Sequence, residues 1–131
     1  MNRNRLANVK NEFQGDAKKV LCVCSAGLLR SPTAAWILSN PPFNFNTRAV
    51  GTSEEFALIP LDPIHLVWAD EVVVMNVDQF SDVMDMAEEF GIQKHQKGII
   101  MLDIPDNFSF REPELVQIMT ETFLDIFINN P

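Results

Sequence analysis

Lys18-Lys19-Val20-Leu21-Cys22-Val23-Cys24-Ser25-Ala26-Gly27-Leu28-Leu29-Arg30-Ser31-Pro32 contains, in order, a strand, a short loop and a helix start. Lys18 to Val23 is a β-rich apolar run of the kind buried in a sheet. Ser31 followed by Pro32 predicts a helix opening, with serine as N-cap and proline at the first helical position. Between them, Cys24 to Arg30 begins with a thiol and ends with a guanidinium. Such a loop has the parts to hold a phosphate-like oxyanion. The backbone N–H groups of Ser25, Ala26, Gly27, Leu28, Leu29 and Arg30 can face the anion, and Arg30 can grip two of its oxygens. Helix N-termini and arginines also favour cysteine in its thiolate form, so an anion site here doubles as a nucleophile site. A cysteine is often only a small buried hydrophobe. Strand, loop and helix start in one register argue against that plainer reading.

The chain has 131 residues, 47% of them hydrophobic, with a net charge of −8. This length suits one ordinary domain, expected over 18–131 behind an extension of 1–17 that is helical on one reading, from Leu6, Val9 and Phe13. No apolar run approaches the roughly 18 residues of a membrane span, and no secretory core follows the basic start, so a soluble, cytoplasmic protein is expected, with no membrane partner. The acidity argues against nucleic acid as partner, since counterion release needs clustered Lys and Arg. Any positive potential for an anion must therefore be local, from Arg30 and the loop amides. Cys22 and Cys24, two apart on a strand, cannot bridge without strain, and a reducing compartment suits a reactive thiol.

Beyond the loop, Ala34, Ile37 and Leu38 give the first helix an apolar face, ended by Asn40-Pro41-Pro42. Thr47 to Gly51 reads as a strand, Asp62-Pro63 opens a helix through Ala69, and Glu71 to Met75 reads as a buried strand. Val77, Phe80, Met84 and Ala87 mark a helix stopped by Gly91, with Asp78, Asp82, Asp85, Glu88 and Glu89 on its solvated face. Gly98 to Leu102 is a further strand, and Glu112-Pro113 starts a last helix with Leu115, Ile118, Met119, Thr122 and Ile126 on one side. The alternation implies an α/β fold with a parallel sheet between helical layers. Ligands of such sheets bind beyond the carboxyl ends of the strands. The Cys24 loop and the loop from Asp103 to Glu112 both lie at that end.

Val23 through Pro32 resembles the Val-Cys-x5-Arg-Ser-Pro loop of the low-molecular-weight protein-tyrosine phosphatase family, and Ile104-Pro105-Asp106 resembles its general-acid loop. The resemblance covers 18–131. It implies a flavodoxin-like three-layer α/β/α fold with a four-stranded parallel sheet, and metal-independent hydrolysis of phosphomonoesters without a cofactor. Cys24 would form a phosphocysteine, Arg30 and the amides of Ser25 to Arg30 would hold the phosphoryl oxygens, and Asp106 would act as general acid and then base. Ser31 matches the family serine that hydrogen-bonds the thiolate, beside its capping role. The implied partners are a phosphorylated substrate, phosphotyrosine protein among the candidates, and inorganic phosphate as product. Asp103 is the alternative acid and Glu112 a third, because Asn107 stands where the family commonly has proline.

Three departures from the family bear on function. Gly27 replaces a loop asparagine, which keeps access to positive φ but forfeits side-chain hydrogen bonds. Leu29 replaces the family's second loop cysteine, so the protective disulfide is lost and oxidation of Cys24 could run further. Thr52 to Leu61 is shorter than the family insertion that supplies part of the aromatic pocket wall. Phe108 and Phe110 flank the candidate acid and could line the pocket where the family often has tyrosines, with core packing the alternative reading. Arsenate reduction is disfavoured, since no cysteine follows Cys24 to relay a disulfide. A phosphate- or phosphotyrosine-binding module of the same fold is the alternative function. His65 and His95 show no ligand spacing and read as structural or solvated, while Trp36 and Trp68 read as packing residues.

Overall fold

The computed structural model describes residues 8–9, 17–25, 30–53, 57–95, 98–104 and 112–129. Lys19–Cys24 (β2) is the central strand, every residue after Lys19 being buried. It pairs in parallel with Asn46–Gly51 (β3) on one side and Glu71–Val74 (β4) on the other, and β4 pairs in parallel with Ile99–Met101 (β5). These are the four expected parallel strands, in the flavodoxin-like order β3-β2-β4-β5. A two-residue strand, Asn8–Val9 (β1), adds to β3 antiparallel at the edge. That part of the extension is therefore extended rather than helical. The rest of the extension, where Leu6 and Phe13 suggest a helix, lies outside the described residues apart from Ala17.

Side chains alternate along β2, and the two faces bury different layers. Val20, Cys22 and Cys24 face Ala34, Ile37 and Leu38 of Arg30–Ser39 (α1) and Leu115, Met119 and Phe123 of Pro113–Leu124 (α4). Leu21 and Val23 face Leu66 of Pro63–Trp68 (α2) and Val83 and Ala87 of Val77–Glu89 (α3). An aromatic cluster of Phe43, Phe45, Phe123 and Phe127 closes the α1/α4 side, with the Lys18 ammonium over Phe45 and Phe127. Trp68 packs under the Arg48 guanidinium, 4.7 Å from its ring centre.

The helices depart from the sequence expectation in how they turn. α1 is buried nearly all round rather than on one face, because it lies between the sheet and α4. On α4 the inner seam is Leu115, Met119 and Phe123, at i+4 spacing, while Ile118 is exposed and the helix ends in a π turn, Asp125–Asn129. On α3 the inner stripe is Gln79, Val83 and Ala87, which leaves Val77 outside. The acidic residues of α3 do lie exposed, as expected. Among the described residues, no helix is long and apolar enough to cross a membrane.

α2 begins in a reciprocal cap. The Asp62 carboxylate accepts from Ile64 N–H at 2.9 Å, and His65 Nδ1 accepts from Asp62 N–H at 3.0 Å. Burial lowers the His65 pKa, against the opposing pull of Asp62, and Arg48 lowers it further. Folding therefore favours the neutral ring, and its contribution is intact above the ordinary value of 6.5. It is lost as pH falls from 6.5 towards the lower folded value, because the unfolded chain takes up the proton first. Thermal melts from neutral pH down to pH about 5 should show a fall in Tm beginning near this point. His65→Gln, whose amide oxygen still accepts from Asp62 N–H, should lack that part of the fall.

Candidate functional site

The chain runs from β2 to β3 on one side and returns to β4 on the other, so the crevice of this sheet opens at the carboxyl end of β2. Cys24 is the last residue of that strand, paired with Gly51. The ladder continues past it: Thr52 N–H donates to the Cys24 carbonyl at 2.9 Å, and Ser53 N–H to the Ser25 carbonyl at 2.8 Å. The backbone entering the loop is thus held by β3 on two successive carbonyls.

Ser31 does not cap the helix. α1 begins at Arg30, which puts Ser31 in the first turn. Its hydroxyl turns back toward β2 and β3, 3.1 Å from Cys24 Sγ and 3.3 Å from the Val50 carbonyl, to which it donates. A hydroxyl has one proton and can give it to only one of these partners at a time. Facing a thiol, Ser31 can donate to Val50 and accept from sulfur. Facing a thiolate, it must donate to sulfur. Of the two roles read for Ser31 in the sequence, the geometry supports the contact with Cys24.

Arg30 is 1% exposed, and its Nη1 donates to the Ile104 carbonyl at 2.7 Å. That carbonyl lies just past β5. It is aimed by Asp103, whose φ of 59° is in the left-handed region that aspartate tolerates better than most residues, and it is fixed by Ile104 N–H donating to the Met75 carbonyl at 2.8 Å. The arginine at the head of α1 is thereby joined to the loop that carries the candidate acids. Ser25 is held from the opposite face of the sheet, where Gln79 Nε2 donates to its Oγ at 3.0 Å. Gln79 is 1% exposed, and its Oε1 accepts from Asn76 N–H at 2.8 Å in the capping box of α3.

The two cysteines occupy different environments although both point toward α1. Cys22 lies one pleat deeper and is fully buried. Burial pushes its thiol far above the ordinary range, and the neighbouring Cys24 adds to the shift. Cys24 is also buried, at 3% exposure, but stands where the strand gives way to the loop.

Of the residues singled out in the sequence, Cys24 and Ser31 are in contact, Arg30 precedes Ser31 at the head of α1 and reaches the Ile104 carbonyl, and the Ser25 hydroxyl turns to the opposite face, against Gln79. Ala26, Gly27, Leu28 and Leu29 lie outside the described residues, as do Asp106, Phe108 and Phe110. Asp103 is exposed at the end of β5, and Glu112 precedes α4 without a side-chain capping bond. His95 is buried, with Nε2 2.7 Å from the Leu66 carbonyl, and His65 serves the α2 cap. Among the described residues, no group of three or more His, Cys, Asp or Glu side chains is placed to hold a metal. Sequence reasoning missed Gln79 and the carbonyls of Ile104 and Val50. Backbone carbonyls leave no residue signature; Gln79 left one, the Asn76-x-x-Gln79 capping box.

This arrangement defines a three-layer α/β protein whose Cys-x5-Arg sequence joins the central strand to the first helix at the switch point of the sheet. Solved structures of the same architecture include a low molecular weight protein tyrosine phosphatase from Streptococcus pyogenes, 16% identical, with a TM-score of 0.62 over 86% of this chain and 95% of that one. The YwlE arginine phosphatase from Geobacillus stearothermophilus is 18% identical, with a TM-score of 0.59 over 87% and 97% of the two chains. YfkJ from Bacillus subtilis is 13% identical, with a TM-score of 0.64 over 86% and 94%. No family model and no curated protein matches the sequence. The chain has the fold of the low-molecular-weight protein tyrosine phosphatases.

The contrast between the cysteines is directly measurable. Iodoacetamide should label Cys24 in the native protein and leave Cys22 unmodified until denaturant exposes it. Mass mapping that found Cys22 labelled first would contradict the environments described.

Proposed function

We propose that the protein is a cysteine-dependent phosphatase that hydrolyses phosphomonoesters through a phosphocysteine on Cys24. The observation that carries this reading is the 3.1 Å contact of Cys24 Sγ with Ser31 Oγ, beside the buried Arg30, at the switch point of this fold. Ser31 would donate its proton to the thiolate, which a charge-assisted hydrogen bond stabilises. Arg30 and the amides of Ser25 to Arg30 would hold the non-bridging oxygens. The Cys24 sulfur forms a bond to phosphorus as the bond to the leaving oxygen breaks, and the acid gives that oxygen its proton. The same carboxylate then takes a proton from water, the water oxygen bonds to phosphorus, and phosphate and the thiolate are released.

Asp106 is the favoured acid on the likeness of Ile104-Pro105-Asp106 to the family loop, and Asp103 is the competitor. The Arg30 bond to Ile104 supports placing either of them at the site, since both lie within two residues of that carbonyl. The solved structures of similar fold include both a tyrosine and an arginine phosphatase. Phosphotyrosine protein is the substrate favoured here on the loop resemblance, with phosphoarginine the comparison to run.

Turnover of an aryl phosphate in the presence of chelator should vanish in Cys24→Ser. It should fall about 10²-fold or more in the variant lacking the acid, Asp106→Ala, with Asp103→Ala showing the larger loss if the assignment is reversed. Ser31→Ala should lose about tenfold, the worth of one hydrogen bond to a charged group. Activity that survives in Cys24→Ser would reject the phosphocysteine route. Tight phosphate binding with no turnover of aryl phosphate or phosphoarginine would favour a binding module.

A further inference from the structure

Gln79 is the one uncharged amide side chain in the buried inner stripe of α3, and it spends both ends of its amide on defined partners. Asn76 N–H can only donate, so it fixes Oε1, and Nε2 must then face Ser25. The polarity of the bond to Ser25 follows: the serine hydroxyl accepts from Gln79 and keeps its own proton to donate elsewhere. The first residue of the loop is thus tied to the first turn of a helix, itself anchored behind β4. Gly27, farther along the loop, has no side chain with which to brace it. We infer that Gln79 is a positioning residue for the candidate anion loop, fixing its first residue, Ser25, through the Nε2–Oγ bond. This rests on the reading of Cys24 to Arg30 as a phosphate-holding loop.

A loop held from both faces starts in one geometry. Cys24 is fixed from the α1 side by Ser31, and Ser25 from the α3 side by Gln79, so consecutive residues are anchored in opposite directions. The bond to Ser25 acts where the anion is bound rather than on the reacting bonds. Its loss should therefore appear in affinity before it appears in the chemical step.

The experiment is a double-mutant cycle on Gln79→Met and Ser25→Ala, with Ser25→Thr as the variant that keeps the hydroxyl. Two quantities are read: kcat and KM for an aryl phosphate, and the concentration of inorganic phosphate that half-protects Cys24 from iodoacetamide. Gln79→Met should weaken phosphate protection and raise KM by about three- to tenfold, the range for one hydrogen bond, with kcat changed about twofold or less. Ser25→Ala should do the same, the double variant should be no worse than either single one, and Ser25→Thr should recover part of the phosphate protection that Ser25→Ala loses. Ser25→Ala leaves the capping box of α3 intact, so it tests the contact even if Gln79→Met lowers Tm. Additive losses, or phosphate protection unchanged in folded Gln79→Met and Ser25→Ala, would overturn the role of Gln79 while leaving the phosphatase reading standing. Wild-type protein that is protected by phosphate and loses protection in the cycle, yet turns nothing over, would keep the role of Gln79 and reject the phosphatase. No protection of the wild type by phosphate overturns the inference, whatever the turnover.

Discussion

The parallel pairing of β2 on both of its edges is the constraint on which the site depends. A strand buried on both faces and hydrogen-bonded on both sides has no freedom to slide, because a slip of one residue would turn Cys22 and Cys24 toward α3 and Leu21 and Val23 toward α1. Its carboxyl end is therefore a fixed point. The bonds from Thr52 and Ser53 carry that rigidity one residue into the loop, and the Ile104 carbonyl, held against Met75, extends it to the head of α1 through Arg30. Four strand ends are joined around Cys24 by these backbone and side-chain bonds.

Much of this was legible in the sequence, and the reason differs by element. The strand and helix order could be read because β2 and β4 are continuous apolar runs and because Asp62-Pro63 and Glu112-Pro113 punctuate helices in the usual way. Cys24 and Arg30 could be read because the spacing of a thiol and a guanidinium across a strand-to-helix turn is a chemical pattern in itself. The rotation of the helices was harder. Val77 and Ile118 look like inner residues by spacing and stand outside, since burial is decided by which neighbour covers the helix, and α1 is covered on nearly every side. Ser31 shows a different difficulty: a residue type suited to two roles gives no sign in the sequence of which partner its proton meets. Gln79 was obscured for the opposite reason, because a glutamine at the start of a helix already has a sufficient explanation as the second half of a capping box.

The two faces of the sheet divide the work at the site. Among the described residues, the α1/α4 side carries Cys24, Ser31 and Arg30, and the α2/α3 side carries Gln79, against Ser25. This division follows from the alternation of side chains along an extended chain, which sends Cys24 one way and Ser25 the other. A loop starting on such a strand can be braced from behind without crowding the side where an anion would sit. The acidic surface of α3 lies on the bracing side as well, exposed and directed to solvent. Local positive potential at Arg30 is then compatible with a net charge of −8, because the negative groups of that helix lie away from the layer that carries the arginine.

The same alternation decides what Cys22 can do for Cys24. Both thiols point toward α1, and a nearby second cysteine is the usual partner for capturing an oxidised nucleophile as a disulfide. Cys22 is unsuited to that on two counts. A bridge between residues two apart on an extended strand strains the backbone, and here that strand is locked by ladders on both edges. Attack on an oxidised sulfur also requires a thiolate, which burial of Cys22 strongly disfavours. With Leu29 in the loop rather than a cysteine, rescue of Cys24 under the proposed chemistry falls to a diffusible thiol, and protection falls to whatever anion occupies the loop. Phosphate, the product of that chemistry, would then compete with oxidants for the same sulfur.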